Sequence, residues 1–129
     1  MAGKRESLHI PGMAHGAPIP MGSKIGNIVY SSGISGYDTA ADKMPEGAEE
    51  QAANMFKNIR TLMEVAGGTT DDIIRLTVLA KDRSNLPAVN AEWLKMFPDE
   101  HSRPARHALD VEVRAGGALF QAEIIAVLG

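Results

Sequence analysis

The chain has 129 residues, 44% hydrophobic and 22% charged, the make-up of one ordinary globular domain (residues 1–129) with a core of its own. Sixteen acids against thirteen scattered Lys and Arg leave a net charge of -3, so no basic face is expected for nucleic acid or an anionic membrane. With no cysteine there is no disulfide framework, thiol nucleophile or zinc-thiolate site, and no apolar run is long enough to span a bilayer, so a soluble cytoplasmic protein is expected.

Leu8 to Ile10 reads as a first short strand, ended by Pro11-Gly12. Gly12 to Gly22, with Pro18-Ile19-Pro20 at its centre, reads as loop because proline lacks a backbone donor. Ile25 to Ser32 is expected as one strand, Gly33 to Gly36 as its bent continuation, and Tyr37 to Pro45 as a polar loop. Ala48 to Ala66 is a helix: Ala52, Met55, Phe56, Ile59, Leu62, Met63 and Ala66 form one apolar stripe. Glu46, Glu49 and Glu50 sit at its positive end and Gly67-Gly68 supply a left-handed stop. Ile73 to Ala80 alternates and is β-branched, hence a strand. A second helix, capped by Ser84 or Asn85, carries Pro87 in its first turn and Leu86, Val89, Trp93, Leu94 and Phe97 on one side, and stops at Pro98. Ala105 to Val113 and Ala118 to Val127 then read as a hairpin joined through Arg114-Ala115-Gly116-Gly117.

Two helices cover one face of a sheet of about five or six strands, an α+β layering. The last strand is mostly apolar on both sides, with Leu119, Gln121, Glu123, Ile125 and Val127 on one and Phe120, Ala122, Ile124 and Ala126 on the other. A second apolar face without helices to cover it implies burial against another copy.

Arg106 opens a strand in which Arg106, Ala108, Asp110 and Glu112 share one face and His107, Leu109, Val111 and Val113 the other. A guanidinium binds carboxylate as a planar fork and stays charged at any working pH. Arg106 is therefore a candidate anchor for a small carboxylate; the alternative is a surface ion pair. His107, by the same alternation, is expected to face the helices. His15 lies in the Gly12–Gly22 loop, where it either folds over a cleft or is a plain loop residue. The histidine spacings do not make a metal site.

The order of elements, together with Gly26-Asn27-Ile28-Val29-Tyr30-Ser31-Ser32-Gly33, Glu50-Gln51, Asn58-Ile59, Ala66-Gly67-Gly68, Asp72 to Val78, Val89-Asn90, Pro104-Ala105-Arg106 and Ala122 to Ala126, resembles the YjgF/RidA family of imine deaminases from about residue 22 onward. The resemblance implies a chorismate-mutase-like subunit and a homotrimer, sheets inward, with clefts between subunits. It implies hydrolysis of 2-aminoacrylate-type enamines and imines to a 2-keto acid and ammonia, without metal or organic cofactor. By that resemblance Arg106 anchors the substrate carboxylate, Ser32-Gly33 backbone lines the cleft, and Asn90 belongs to the binding surface.

Three positions depart from the family pattern. Ile19 stands nearest the place of a cleft tyrosine, Ala108 replaces a Cys or Thr, and Gln121 replaces the water-positioning carboxylate. Glutamine hydrogen-bonds a water but cannot take its proton. Glu123, on the same face, is either a stand-in base or a residue paired across a subunit interface. A 2-aminomuconate-type deaminase and a non-catalytic carboxylate-binding trimer are the alternatives. Ribonucleolysis finds no basic, aromatic-interleaved stripe.

Overall fold

The computed structural model describes residues 4–14, 16–113 and 116–129. His15 and the Arg114-Ala115 part of the expected connection lie outside the described residues. The elements run β1 (Glu6–Leu8), β2 (Gly22–Ile25), β3 (Ile28–Ser31), β4 (Ile34–Ser35), α1 (Ala48–Ala66), β5 (Ile73–Ala80), α2 (Leu86–Met96), β6 (Ala105–Asp110) and β7 (Phe120–Val127). They form one mixed sheet in the order β1-β2-β3-β7-β5-β6, with β4 also on β7, the α+β layering expected.

The long helix spans the expected residues. Its apolar stripe is buried and Gly67 closes it with φ of +89°, its N–H returning to Glu64. The Lys24 ammonium donates to the Ala66 carbonyl at 2.8 Å, at the negative end of the helix. Both helices pack together over the face carrying Val29, Leu76, Val78, Phe120, Ala122 and Ile124, all at most 1% exposed. The alternate residues Ile28, Tyr30 and Val127 stay exposed on the opposite, open face.

The structure corrects several expectations. The first strand lies earlier, at Glu6–Leu8 against Gly22–Lys24, while Ile10 is buried beyond it. The single strand expected over Ile25–Ser32 is a hairpin: Ile25 pairs with Ile28 around Gly26-Asn27, and Gly26 takes φ of +57°, open to a residue without Cβ. The expected final hairpin does not form. β7 inserts antiparallel between β3 and β5, while β6 pairs parallel on the other side of β5. Parallel neighbours need a crossover, and α2 is that crossover. On α2, Leu94 points out at 53% exposure, because it lies about 100° round the helix from buried Trp93. Asn85 occupies the cap position without a side-chain bond; Asp82 instead accepts from the Ser84 N–H in the preceding turn.

The break between β3 and β4 positions the site. Ser31 Oγ accepts the Ile124 N–H at 2.7 Å, replacing a ladder bond, so the chain can kink at Ser32-Gly33 and rejoin β7 at Ile34 and Ser35.

Candidate functional site

Arg106 and Ala108 sit opposite Leu76 and Val78, two buried residues of the helix-facing side. Their side chains therefore share the helix side of the sheet, and His107, opposite Thr77, shares the open side with Glu123. This reverses the orientation expected for His107: it is exposed, and it is Arg106 that meets a helix. The reason is the parallel register with β5, which no reading of β6 alone contains. The Arg106 guanidinium lies 5.2 Å from the Trp93 ring centroid, within cation–π range. Trp93 is itself held by an edge-on contact with Phe97, 4.9 Å between centroids at 63°.

The carboxylate nearest along that strand face, Asp110, is taken by Arg83 at 2.9 Å. Arg83 also donates to the Ala108 carbonyl at 3.4 Å. Among the described residues no carboxylate pairs with Arg106. Burial alone pushes its pKa below the ordinary value for arginine, and it remains charged at working pH. The edge thus holds a half-buried cation, stacked on a ring and without a counter-ion among the described residues. Asn90 is exposed on α2, three residues before Trp93 and so on the neighbouring helix surface.

A second group assembles elsewhere. Gly33 and Gln121 line one cleft of about 690 Å³ together with Met13, Ser35, Tyr37 and Asp42. A Cβ on Gly33 would stand 3.0 Å from Gln121 Oε1, so the glycine is what lets the amide lie against the backbone there. Ser32 turns away, its hydroxyl donating to the Pro20 carbonyl at 2.7 Å, which ties the kink to the Gly12–Gly22 loop. Ile19 lines a neighbouring hollow with His9, Pro18 and Pro20 and is 50% exposed. Glu123 follows Gln121 on the open face, exposed and outside the cleft lining.

Sequence reasoning missed Tyr37 and Asp42, both assigned to a plain polar loop. The signal was a tyrosine and two aspartates closely following the Ser32-Gly33 motif, in a chain with Ile19 nearest the place where the resemblance leads one to expect a cleft tyrosine. The loop is tightly held. Asp38 and Lys43 exchange both backbone hydrogen bonds, and the Asp38 side chain accepts from the N–H groups of Ala40 and Ala41. Asp42 adopts φ of +54°, and its Oδ1 accepts a hydrogen bond from the Tyr37 hydroxyl. That bond, above all, raises the Tyr37 pKa and keeps the phenol protonated. Two buried amides support the wall. Asn58 Nδ2 donates to the carbonyls of Ser35 and Tyr37, at 3.1 and 3.0 Å. Gln51 Nε2 donates to Pro45 and Gly117, while its Oε1 accepts from Leu119 N–H at 2.9 Å.

The residues expected at a site therefore fall into two groups separated by the sheet: Arg106, Ala108 and Asn90 at the β6 edge, and Gly33 and Gln121 in the cleft with Ser32 beside them. Among the described residues no three His, Asp or Glu side chains converge as metal ligands, and no helix is long and apolar enough to cross a membrane.

The family model described as Endoribonuclease L-PSP matches residues 18–128. The 3-aminoacrylate deaminase RutC of Acinetobacter baylyi is 32% identical over 111 residues, covering 85% of this chain and 86% of its own. The 2-iminobutanoate/2-iminopropanoate deaminase of Escherichia coli K12 is 28% identical, covering 85% and 87%. The crystal structure of the YjgF gene product of E. coli matches with a TM-score of 0.84 at 26% identity, over 95% of this chain and 98% of that one. Both the fold and the sequence place the chain in the Endoribonuclease L-PSP family, that of the YjgF and RidA proteins.

Proposed function

We propose that this protein is a hydrolytic deaminase of small enamine or imine carboxylates of the 2-aminoacrylate type, yielding a 2-keto acid and ammonia. The observation that carries this reading is Arg106, a half-buried cation braced on Trp93 whose nearest strand-face carboxylate is engaged by Arg83. Such a group is an anchor for a ligand carboxylate, bound in a bidentate way. The two deaminase relatives are named for 3-aminoacrylate and for 2-iminobutanoate and 2-iminopropanoate. In each of these a carboxylate stands close to nitrogen on an unsaturated carbon, and a fixed guanidinium with a separate acceptor-lined cleft suits that pairing. The chemistry asks for positioning: the carboxylate is anchored, one water is oriented at the electrophilic carbon, and a proton reaches the departing ammonia. No organic cofactor or metal is needed for those steps.

Arg106 and the cleft lie on opposite faces of one sheet, so one subunit does not complete the site. In our reading a homotrimer closes it, with Arg106, Ala108 and Asn90 of one subunit meeting Ser32, Gly33 and Gln121 of the next. The exposed apolar side chains of Ile28, Tyr30 and Val127 on the open sheet face support such an assembly.

Gln121 favours a second reading, a carboxylate-binding trimer without turnover, because an amide cannot accept the water's proton. Ammonia release from 2-aminoacrylate generated in situ separates the two. The deaminase reading expects acceleration by the wild type and a loss of about 30- to 1,000-fold in kcat/KM for Arg106→Ala, the equivalent of roughly 2–4 kcal/mol of charge-assisted contact. A wild type inert on this substrate and on 2-aminomuconate would leave the binding reading standing.

A further inference from the structure

One carboxylate, that of Asp42, lines the cleft among the described residues. We propose that Asp42, held by Tyr37, is the general base of this site and supplies the carboxylate that position 121 lacks. The inference rests on the deaminase reading and deepens it.

Three observations point the same way. Asp42 and Gln121 line the same cleft, whereas Glu123, the other acid near Gln121 in sequence, stands outside it. Among the described lining residues Asp42 carries the only carboxylate, and none of them is a Lys or Arg. Its Oδ1 accepts the Tyr37 hydroxyl, and no other side-chain hydrogen bond or ion pair occupies the carboxylate among the described residues. A carboxylate accepts up to about four hydrogen bonds, so capacity for a water remains.

The support beneath the pair is rigid. Asp42 takes a left-handed backbone conformation, rare for a residue with a side chain and concentrated at functional sites. Tyr37 is fixed from both sides of its peptide: its N–H donates to Ser35 Oγ at 3.3 Å and its carbonyl accepts from buried Asn58 at 3.0 Å. Gly36, immediately before it, packs so closely on α1 that an added Cβ would lie 2.1 Å from the Gln51 carbonyl oxygen. The phenol, kept protonated by its bond to Asp42, orients the carboxylate and does not itself ionise. Tyr37 is thus a positioning residue.

The division of labour follows. Gln121 holds a water by hydrogen bonding while Asp42 takes its proton. The water oxygen bonds to the iminium carbon and the C=N π pair moves onto nitrogen, giving a neutral carbinolamine and a protonated Asp42. Asp42 then returns that proton to the amino nitrogen. The C–N bond breaks with its electrons on nitrogen, the hydroxyl becomes the keto oxygen, and its proton leaves with ammonia as ammonium. Iminium and water are consumed, keto acid and ammonium are formed, and the carboxylate is regenerated. Arg106 balances the substrate carboxylate at the far end, so cation and anion of the site match the anionic and cationic ends of the substrate.

The test is steady-state kinetics on the full-length protein with 2-aminoacrylate, using wild type, Asp42→Asn, Tyr37→Phe and Asp42→Asn combined with Gln121→Glu. Asparagine tolerates the left-handed backbone and can still accept from Tyr37, so Asp42→Asn should fold. We expect its kcat to fall about 100-fold or more, as for loss of a general base, with KM nearly unchanged. Tyr37→Phe should lose kcat by a smaller factor at unchanged KM, and Gln121→Glu should restore much of the turnover lost in Asp42→Asn. An Asp42→Asn kcat within about threefold of wild type overturns the assignment while leaving the deaminase standing. A wild type without turnover on this substrate and on 2-aminomuconate removes both together.

Discussion

The β6 edge and the Gly33–Gln121 cleft lie on opposite faces of the sheet and are built by opposite means. The edge is regular structure: a strand held in parallel register by β5, a helix supplying Trp93 as a flat support, and one cation on a long apolar stem. The cleft is assembled from segments distant in sequence, including Met13, Gly33, Tyr37, Asp42 and Gln121. Its backbone polar groups cannot be satisfied by a ladder, so two buried amides on α1, Gln51 and Asn58, satisfy them. A cation needs only a packing surface to be aimed. A concave, acceptor-lined wall needs its loops pinned first.

That contrast can be broken at its strongest point by Trp93→Ala. It removes a core ring and the support under Arg106 together, and should lower unfolding free energy by about 3–5 kcal/mol in urea titrations. Trp93→Phe should keep most of the stability and raise KM, because a smaller ring holds the guanidinium less well. Equal KM in Trp93→Phe and wild type would show that the stacking does not position Arg106.

The cleft responds next, through its supports. Gln51→Ala leaves the carbonyls of Pro45 and Gly117 and the N–H of Leu119 without their partner. About 2–3 kcal/mol should be lost in chemical denaturation, with turnover reduced while Arg106 is untouched. Gly33→Ala is the finest probe. Its Cβ meets the movable end of Gln121 rather than backbone, so stability should change by less than about 1 kcal/mol. Displacing that amide by a few tenths of an ångström should still cost about three- to tenfold in kcat. Unchanged kinetics in Gly33→Ala would mean that Gln121 does not orient the reacting water.

Much of this was legible in the chain. The stripe from Ala52 to Ala66 fixes a helix because seven apolar residues at a 3.6-residue period admit one buried face. The β-branched alternation of Ile73 to Ala80 and the apolar run from Ala118 to Val127 likewise mark two strands, though not which of their faces meets the helices. The chemistry of Arg106 also follows from its side chain alone. What the sequence did not contain is partner choice. Which edge of β5 accepts β6, and whether β7 folds back on β6 or inserts beside β3, is decided by packing among elements far apart in the chain.

From that choice come the facing of Arg106 toward Trp93 and of His107 away from it. Tyr37 and Asp42 belong to the same class: a polar loop carries no periodicity, and only its pinning by Asn58 and the Asp38–Lys43 pairing brings it beside Gln121. Local physics determined the elements and the charge that would bind. Long-range register determined where that charge points, and two buried amides determined what lines the cleft, because both depend on contacts that only the folded chain makes.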